Sequence, residues 1–407
     1  MVWMTATEAL TILNVRPQTL YANVSRGKIR AKPDDADPRR SLYHRDDVLR
    51  MARRANGRRK VDAVSAQAMQ WGDPVLPSSI STAAGGKLLY RGQDAAILAN
   101  SATLEDIAAL LWQCAPSTIQ AALPAKTATA AARQAAGNGS SDPGPLALGL
   151  LTLATLAANA SPSLARPLNE LHADAATILS TLTEAIAGPL PDAAAGLTIS
   201  ARLARAWHCP SEQDLIRRAL VLMADHELNA STFATRVAVS TGASLAAGVL
   251  AGLATLSGPL HGGAPAEFAR LLALARQAGA HDAVAQWLAS GRPLPGFGHR
   301  LYPDGDPRAK AMLKMLPELQ PYTDLAAEAE AQAGELPTVD FALPALAAAC
   351  GLPEEAPFVL FALGRCVGWL AHALEQVQAN RPIRPRARYV GASLADDSVE
   401  QLSGRTC

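Results

Sequence analysis

Five segments in the second half of this chain gather histidine, arginine and aspartate among apolar residues. They are Asp225-His226-Glu227-Leu228-Asn229-Ala230-Ser231, Gly258-Pro259-Leu260-His261-Gly262-Gly263, Pro295-Gly296-Phe297-Gly298-His299 running on to Asp306-Pro307-Arg308, Val339-Asp340-Phe341, and Phe361 to Arg365 with Arg384-Pro385-Arg386 beyond it. His261 and His299 stand beside glycines, which let backbone approach a bound group closely. Neither loop has the spacing of a phosphate cradle, GxGxxG after a strand or GK[ST]. No two of these histidines stand at i, i+4 as in HExxH, so no metal site is expected. His44, His172, His208, His281 and His372 lie outside such settings and receive no role here.

Together these groups suit one kind of chemistry. His261 directly precedes a helix expected from about Ala264, with Pro265 in its first turn. The positive end of that helix disfavours an imidazolium, so the ring should stay neutral. A neutral imidazole can donate to a carbonyl oxygen that is becoming an enolate. Asp340, between Val339 and Phe341, sits in an apolar setting that raises its basicity, just ahead of a helix. Asp306 as N-cap and Pro307 at the first helical position put Arg308 where helix dipole and guanidinium both favour an anion. Arg308, Arg365 and Arg384 can hold a dicarboxylate. Oxyanion donor, base and anion clamp point to enolisation followed by addition to a carbonyl.

Helices are the elements expected to position them. Of 407 residues 49% are hydrophobic but only 4% aromatic, so Ala and Leu fill the interior, and these lead the helix scale. A helix is expected over roughly Leu215–His226, with Ser231 capping the next. Leu88 to Gly92 reads as a short strand ending at a turn, and Ala102 to Asp106 as a helix start with Ile107, Leu110 and Leu111 at helical spacing. A Gly/Ser/Pro loop is expected at Gly137–Pro145, and a packed pattern resumes at Tyr389-Val390-Gly391. The five cysteines, odd in number and without a CxxC, suit a reduced cytoplasmic protein. Met1–Thr5 lacks the apolar stretch of a signal peptide, and runs such as Leu343–Cys350 are too short to span a bilayer.

Residues 1–60 differ in character, with 14 Lys/Arg against 6 Asp/Glu on a chain whose net charge is +1. Thr5 and Glu8 form a capping box opening a helix to Leu13. Asn14-Val15 then turns, Pro17 starts a second helix that Gly27 closes, and Lys28–Ala31 with Ser41–His44 reads as a β-wing around Pro33–Pro38. Arg45–Arg54 reads as a basic helix and Arg53–Lys60 as a linker. This segment resembles the winged helix-turn-helix of the MerR and excisionase families, which implies a possible DNA contact through residues 3–54. Gln18, Thr19, Asn23 and Arg26 would be its recognition side chains.

The ordered series "DHELNASTF", "GPLHGGA", "PGFGHRLYPDGDPRA", "VDF", "FALGRCVGW" and "RPRARYVG", with the earlier "LLYRGQDAAILANSATLEDIAALLW", resembles citrate synthases and 2-methylcitrate synthases from about residue 75 to 391. The resemblance implies a mainly α, two-domain fold with a large domain (61–263 and 351–407) and a small lid domain (264–350), preceded by the winged-helix module and linker (1–60). It implies that His261 donates to a thioester carbonyl, that Asp340 removes the α-proton, and that His299 protonates the oxo-acid carbonyl. His226, Arg308 and Arg365 would bind the oxo acid, and Arg384 would reach in from the partner subunit of a homodimer. Oxaloacetate and an acyl-CoA, acetyl-CoA first, would be the substrates; no cofactor would be bound, CoA thioester being a substrate. Two departures stand out: Thr338 where the family has Asn, and Leu343-Pro344 where it has Ser-Gly. Two alternatives remain open, a 2-methylcitrate synthase using propionyl-CoA and a DNA-binding regulator that senses a metabolite through a synthase fold.

Overall fold

The computed structural model describes residues 3–13, 17–25, 28–34, 37, 40–49, 51, 76–122, 124–137, 143–187, 196–259, 261, 264–387 and 391. Asn14-Val15, Gly27, the Arg53–Lys60 linker, residues 138–142 of the expected loop, Gly262-Gly263 and Tyr389-Val390 lie outside these residues. The chain divides into two units, Met1–Pro77 and Ser78–Cys407.

In the first unit helices Ala6–Leu13 and Pro17–Ser25 precede antiparallel strands Ala31–Pro33 and Ser41–His44. The capping box forms, with Thr5 N–H donating to Glu8 Oε2 at 2.8 Å. Two local expectations shift. The wing strand begins at Ala31 rather than Lys28, and Trp3–Met4 is a third strand paired with Tyr43 and His44. Met4, Ala9, Leu13, Leu20, Ile29, Tyr43 and Val48 make the unit's own core. Arg30 clamps buried Asp47 through Nε at 2.7 Å and Nη2 at 3.1 Å.

The second unit is mainly helical. Its centre is the helix Ala356–Ala379, buried along most of its length, against which pack the helices Leu104–Trp112, Leu168–Ala187, Gln213–Met223, Ala230–Ser240 and Leu245–Leu256. By length and composition this one helix could cross a membrane, yet it is the inside of a protein core. Small residues let its neighbours come close: a Cβ on Gly364 would meet Met223 Cβ at 2.6 Å. A small antiparallel sheet, Ser81–Ala84, Lys87–Tyr90 and Gln93–Asp94, opens the unit. Thr103 and Asp106 form a capping box that starts Leu104–Trp112, and Ile107 and Leu111 face the core.

A second core gathers Phe268, Leu271, Val284, Trp287, Leu325 and Phe341 from helices Ala264–Ala278, Ala280–Ala289, Tyr322–Ala333 and Val339–Ala349. The helix Val339–Ala349 serves both cores: Phe341 and Ala345 enter the second, Val339, Ala342, Leu343 and Leu346 the first. The helix Pro307–Leu313 likewise sends Ala309 and Met312 into the first core. Both short helices that carry chemical residues therefore sit at the junction of two apolar masses.

Candidate active site

Helix Gln213–Met223 ends three residues before His226, earlier than its apolar pattern suggests. His226 is 8% exposed, and its Nε2 lies 3.1 Å from the Tyr302 hydroxyl. Its ring meets that of His299 edge-on at 5.2 Å. Burial, then the charges of Arg308 and Arg365, drive the imidazole well below the ordinary histidine range, so it is neutral. His299 stands in the loop between the two cores' helices. The Leu301 N–H donates to its Nδ1 at 3.2 Å, which leaves the hydrogen of the neutral ring on Nε2. Burial and Arg308 lower its pKa, against a smaller opposing effect of Asp306.

Two glycines shape this loop. Gly296 and Gly298 have φ of 84° and 70°, and a Cβ on either would press against Phe268 or Glu335 at about 3.0–3.1 Å. The same loop is tied to the residues ahead of Asp340: Gly298 N–H donates to Leu336 O at 3.0 Å, and Thr338 N–H to Gly296 O at 2.8 Å. His299 and Asp340 are thus carried by strands of chain that hold each other.

Arg308 follows Asp306 and Pro307 at a helix start, as its spacing predicts. Its Nε and Nη2 donate to the two Asp306 oxygens at 3.0 and 2.8 Å, with both side chains buried. For Asp306, burial raises the carboxyl, but the Arg308 charge and hydrogen bonds outweigh it and hold it ionised. Arg365 lies on the central helix, 2% exposed, with Nε donating to Met223 O at 3.2 Å and its guanidinium 5.0 Å from the Phe361 ring centroid. Burial brings Arg365 down to about 10, still protonated at neutral pH.

His261 Nε2 lies 2.8 Å from Ser231 Oγ. Ser231 does not cap its helix; Asn229 does, accepting from the Thr232 N–H, and Ser231 sits in the first turn. There it also accepts from the Trp369 indole N–H at 3.1 Å. Ser231 has a single hydroxyl proton, which Asn229 Oδ1 accepts at 2.7 Å; turned instead to His261 Nε2, it puts the ring hydrogen on Nδ1 as a donor. Burial, then Arg365, pushes His261 down to about 4, so the ring is neutral across the physiological range.

Asp340 is the second residue of its helix rather than a residue ahead of it, with Thr338 as N-cap. Burial pushes its carboxyl up to about 6, the largest of several influences, among which Arg308 and Arg365 act downward and Asp306 upward. Pro344, inside the same helix, has no N–H for the Asp340 carbonyl four residues back. Beside the carboxyl lies a small pocket whose other walls are apolar, including Leu256, Leu343, Pro344, Phe358 and Phe361.

Six of the seven residues singled out from the sequence therefore converge, linked by direct contacts or by mutual electrostatic influence. Arg384 does not join them. It is exposed in an extended segment that the chain pins just before it, through Gln376 to Arg381 O at 2.8 Å and Ile383 N–H to Ser240 Oγ at 3.1 Å. Sequence reasoning missed Tyr302, Ser231 in its contact with His261, and Asp306 as counter-charge. For Tyr302 and Asp306 a signal existed, since both lie within the His299–Arg308 motif.

Neutral histidines, a raised carboxyl and two buried arginines thus cluster at the junction of two helical cores. A family model described as "Citrate synthase, C-terminal domain" matches residues 68–386, and the chain belongs to the citrate synthase family. It is 38% identical over 196 residues to "Citrate synthase 2" of Bacillus subtilis, covering 45% of this chain and 52% of that protein. It is 41% identical over 185 residues to "Citrate synthase" of Haloferax volcanii, covering 42% and 49%. The matched stretch spans about half the length of these curated relatives. The citrate synthase structure from Thermotoga maritima superposes with a TM-score of 0.66 at 25% identity, covering 80% of this chain and 96% of that one. That from Thermoplasma acidophilum, a ternary complex with carboxymethyl coenzyme A and oxaloacetate, gives 0.65 at 26% identity with the same coverage.

Proposed function

We propose that this chain condenses an acyl-CoA, acetyl-CoA above all, with oxaloacetate and then hydrolyses the thioester to release CoA. The observation that carries this reading is the grouping of a raised carboxyl, Asp340, with a histidine held neutral near pH 7, His261, and two buried arginines. Arg308 and Arg365 hold the oxo-acid carboxylates, and His226 helps seat the same molecule. Asp340 takes a proton from the α-carbon while His261 donates to the thioester oxygen, so that charge leaving the carbon is met on the oxygen. The nucleophilic carbon adds to the oxo-acid carbonyl, whose oxygen receives the Nε2 proton of His299. Water then cleaves the thioester. Base, oxyanion donor and anion clamp supply the whole reaction, CoA serving as carrier rather than bound cofactor.

The residues around 264–350 act as a lid on the remainder of residues 61–407, closing over both substrates. The two hydrophobic cores of the second unit and the position of Asp340 between them support this. The protein works as a homodimer in which Arg384 completes the partner's site; its exposure here and the pinning of its segment support that reading. The N-terminal unit is a winged helix-turn-helix, cytoplasmic with the rest of the chain, supported by its element order and by the positive balance of residues 1–60. Release of CoA thiol by the purified protein tests the central claim. Release from acetyl-CoA that requires oxaloacetate is the expected result, and no release from either acetyl-CoA or propionyl-CoA would overturn it.

A further inference from the structure

The turn that presents His226 has one local tie, Asn229 Nδ2 donating to the His226 carbonyl at 3.3 Å, and is otherwise held from far along the chain. Glu227 has a left-handed φ of 52°, which residues with a side chain disfavour. The helix before it ends on carbonyls that need partners. The small sheet that opens the unit, from 144 residues earlier in the chain, supplies partners for both, while Arg365 serves Met223 O. Ser81 Oγ donates to Asp225 Oδ2 and accepts from the Glu227 N–H at 3.0 Å, so one hydroxyl clips both residues that flank His226. Thr82 Oγ1 and the Ala83 N–H both donate to Glu227 Oε1, the former at 3.0 Å. On the next strand Tyr90, fully buried, places its hydroxyl 3.0 Å from Val221 O, 3.2 Å from Leu222 O and 3.3 Å from the Asp225 nitrogen.

The opposite side is equally constrained. Arg236 Nη1 lies 3.2 Å from His372 Nδ1 and can only donate, so His372 Nε2 carries the hydrogen it turns toward Asp225 Oδ2 at 3.3 Å. A Cβ on Gly368 would collide with the Asp225 carboxylate and the Ala224 carbonyl. Asp225 Oδ1, buried, has no hydrogen-bond partner among the described residues. A buried carboxylate kept with one oxygen unpaired contributes little to stability, and its retention beside a binding residue suggests placement instead.

We infer that Ser81, with its strand, is a positioning clasp for His226, setting the affinity for the oxo acid from outside the substrate-contacting segments. The inference rests on the reading of His226 as an oxo-acid ligand. It explains why a helical unit opens with a short sheet whose strands pack onto this one turn.

Ser81→Ala is the test, with KM for oxaloacetate and for acetyl-CoA measured separately and oxaloacetate binding followed by calorimetry. The expected result is a rise of about tenfold in the oxaloacetate KM and Kd, from loss of the bond to the Asp225 carboxylate and of the acceptor for the Glu227 N–H. The acetyl-CoA KM should stay within about twofold, and Ser81→Thr, which keeps the hydroxyl, should restore the wild-type values. An unchanged oxaloacetate KM, an equal rise in both constants, or no restoration by Thr would overturn the clasp. Should Ser81→Ala fail to fold, Thr82→Val removes only the exposed bond to Glu227. A rise of about threefold in the oxaloacetate KM then supports the clasp and no rise overturns it. A wild-type protein that turns over no acyl-CoA removes both readings, whereas an active one with unmoved constants removes the clasp alone.

Discussion

The side of the site that would hold the oxo acid and the side that would enolise the thioester are braced differently. His226 meets His299 and Tyr302 from a distant stretch of chain, and Arg308 beside them is paired with Asp306, two residues before it. His261 and Asp340 each stand at a helix start, steadied by a single nearby hydroxyl, Ser231 in one case and Thr338 in the other. The difference follows from charge. Two buried arginines repel each other, and a neutral histidine must stay among them, so that half needs counter-charges and cross-links in place before any substrate arrives. The enolising pair carries a single charge, on Asp340, with no like charge beside it to hold apart, and need only meet across a bound acyl group.

The comparison breaks first at its most reactive member. Asp340→Asn should cut condensation by about 10³-fold while oxaloacetate binding survives, since Asn leaves the arginines intact but accepts no proton. Turnover within tenfold of wild type would remove Asp340 from the role of base. His261→Ala should cost about 10²–10³ in kcat, the usual effect of deleting one oxyanion donor. An unaltered rate of α-proton exchange from the acyl-CoA, with oxaloacetate present, would contradict the assignment.

On the braced side the expected loss is structural as well as kinetic. Asp306→Ala leaves Arg308 buried without its partner, which should lower stability by about 3–5 kcal/mol in urea unfolding and raise the oxaloacetate KM. A variant as stable as wild type would show that Asp306 is not the brace. Arg384 is sharpened by mixing subunits. Combining Arg384→Ala with Asp340→Asn protein should regain about a quarter of wild-type activity, since half of randomly exchanged dimers hold one whole site in two. Exchange proved by mass without any gain would return Arg384 to its own subunit.

The smallest effect is in pH. With Asp340 raised to about 6, its active carboxylate form is lost as pH falls through that value, so kcat/KM should halve near pH 6 and drop tenfold per unit below. His261, at about 4, stays neutral over this range and should add nothing. An acid limb centred below about 4.5 would mean the carboxyl is not desolvated as its surroundings require.

Much of the site was legible because its residues mark themselves locally. Asp306-Pro307-Arg308 announces a capped helix start, Ala102 to Asp106 another helix start, and the glycines beside His299 a loop whose backbone comes close to its surroundings. Where local signals were weak the reading slipped by a few residues. The apolar pattern of Leu215–His226 runs past the true helix end, because Ala224 and Asp225 are buried by tertiary packing rather than by helix periodicity. Asp340 proved to lie inside its helix, started by Thr338, despite a proline five residues into it.

By itself the sequence singled out six residues that the structure brings together, though not Arg384 with them, and marked where several of the helices that carry or flank them begin. Capping, proline geometry and helical spacing act between residues three or four apart, and such rules can be read along the chain. Only the tertiary structure decided which partner each side chain would have. Tyr302 reaches His226 across 76 positions, His261 finds Ser231 across 30, and Ser81 finds Asp225 across 144. Each side chain in those pairs has several possible partners of the right chemistry. The choice among them follows from how Ala- and Leu-rich helices close-pack around Ala356–Ala379, and that packing depends on all the facing surfaces at once.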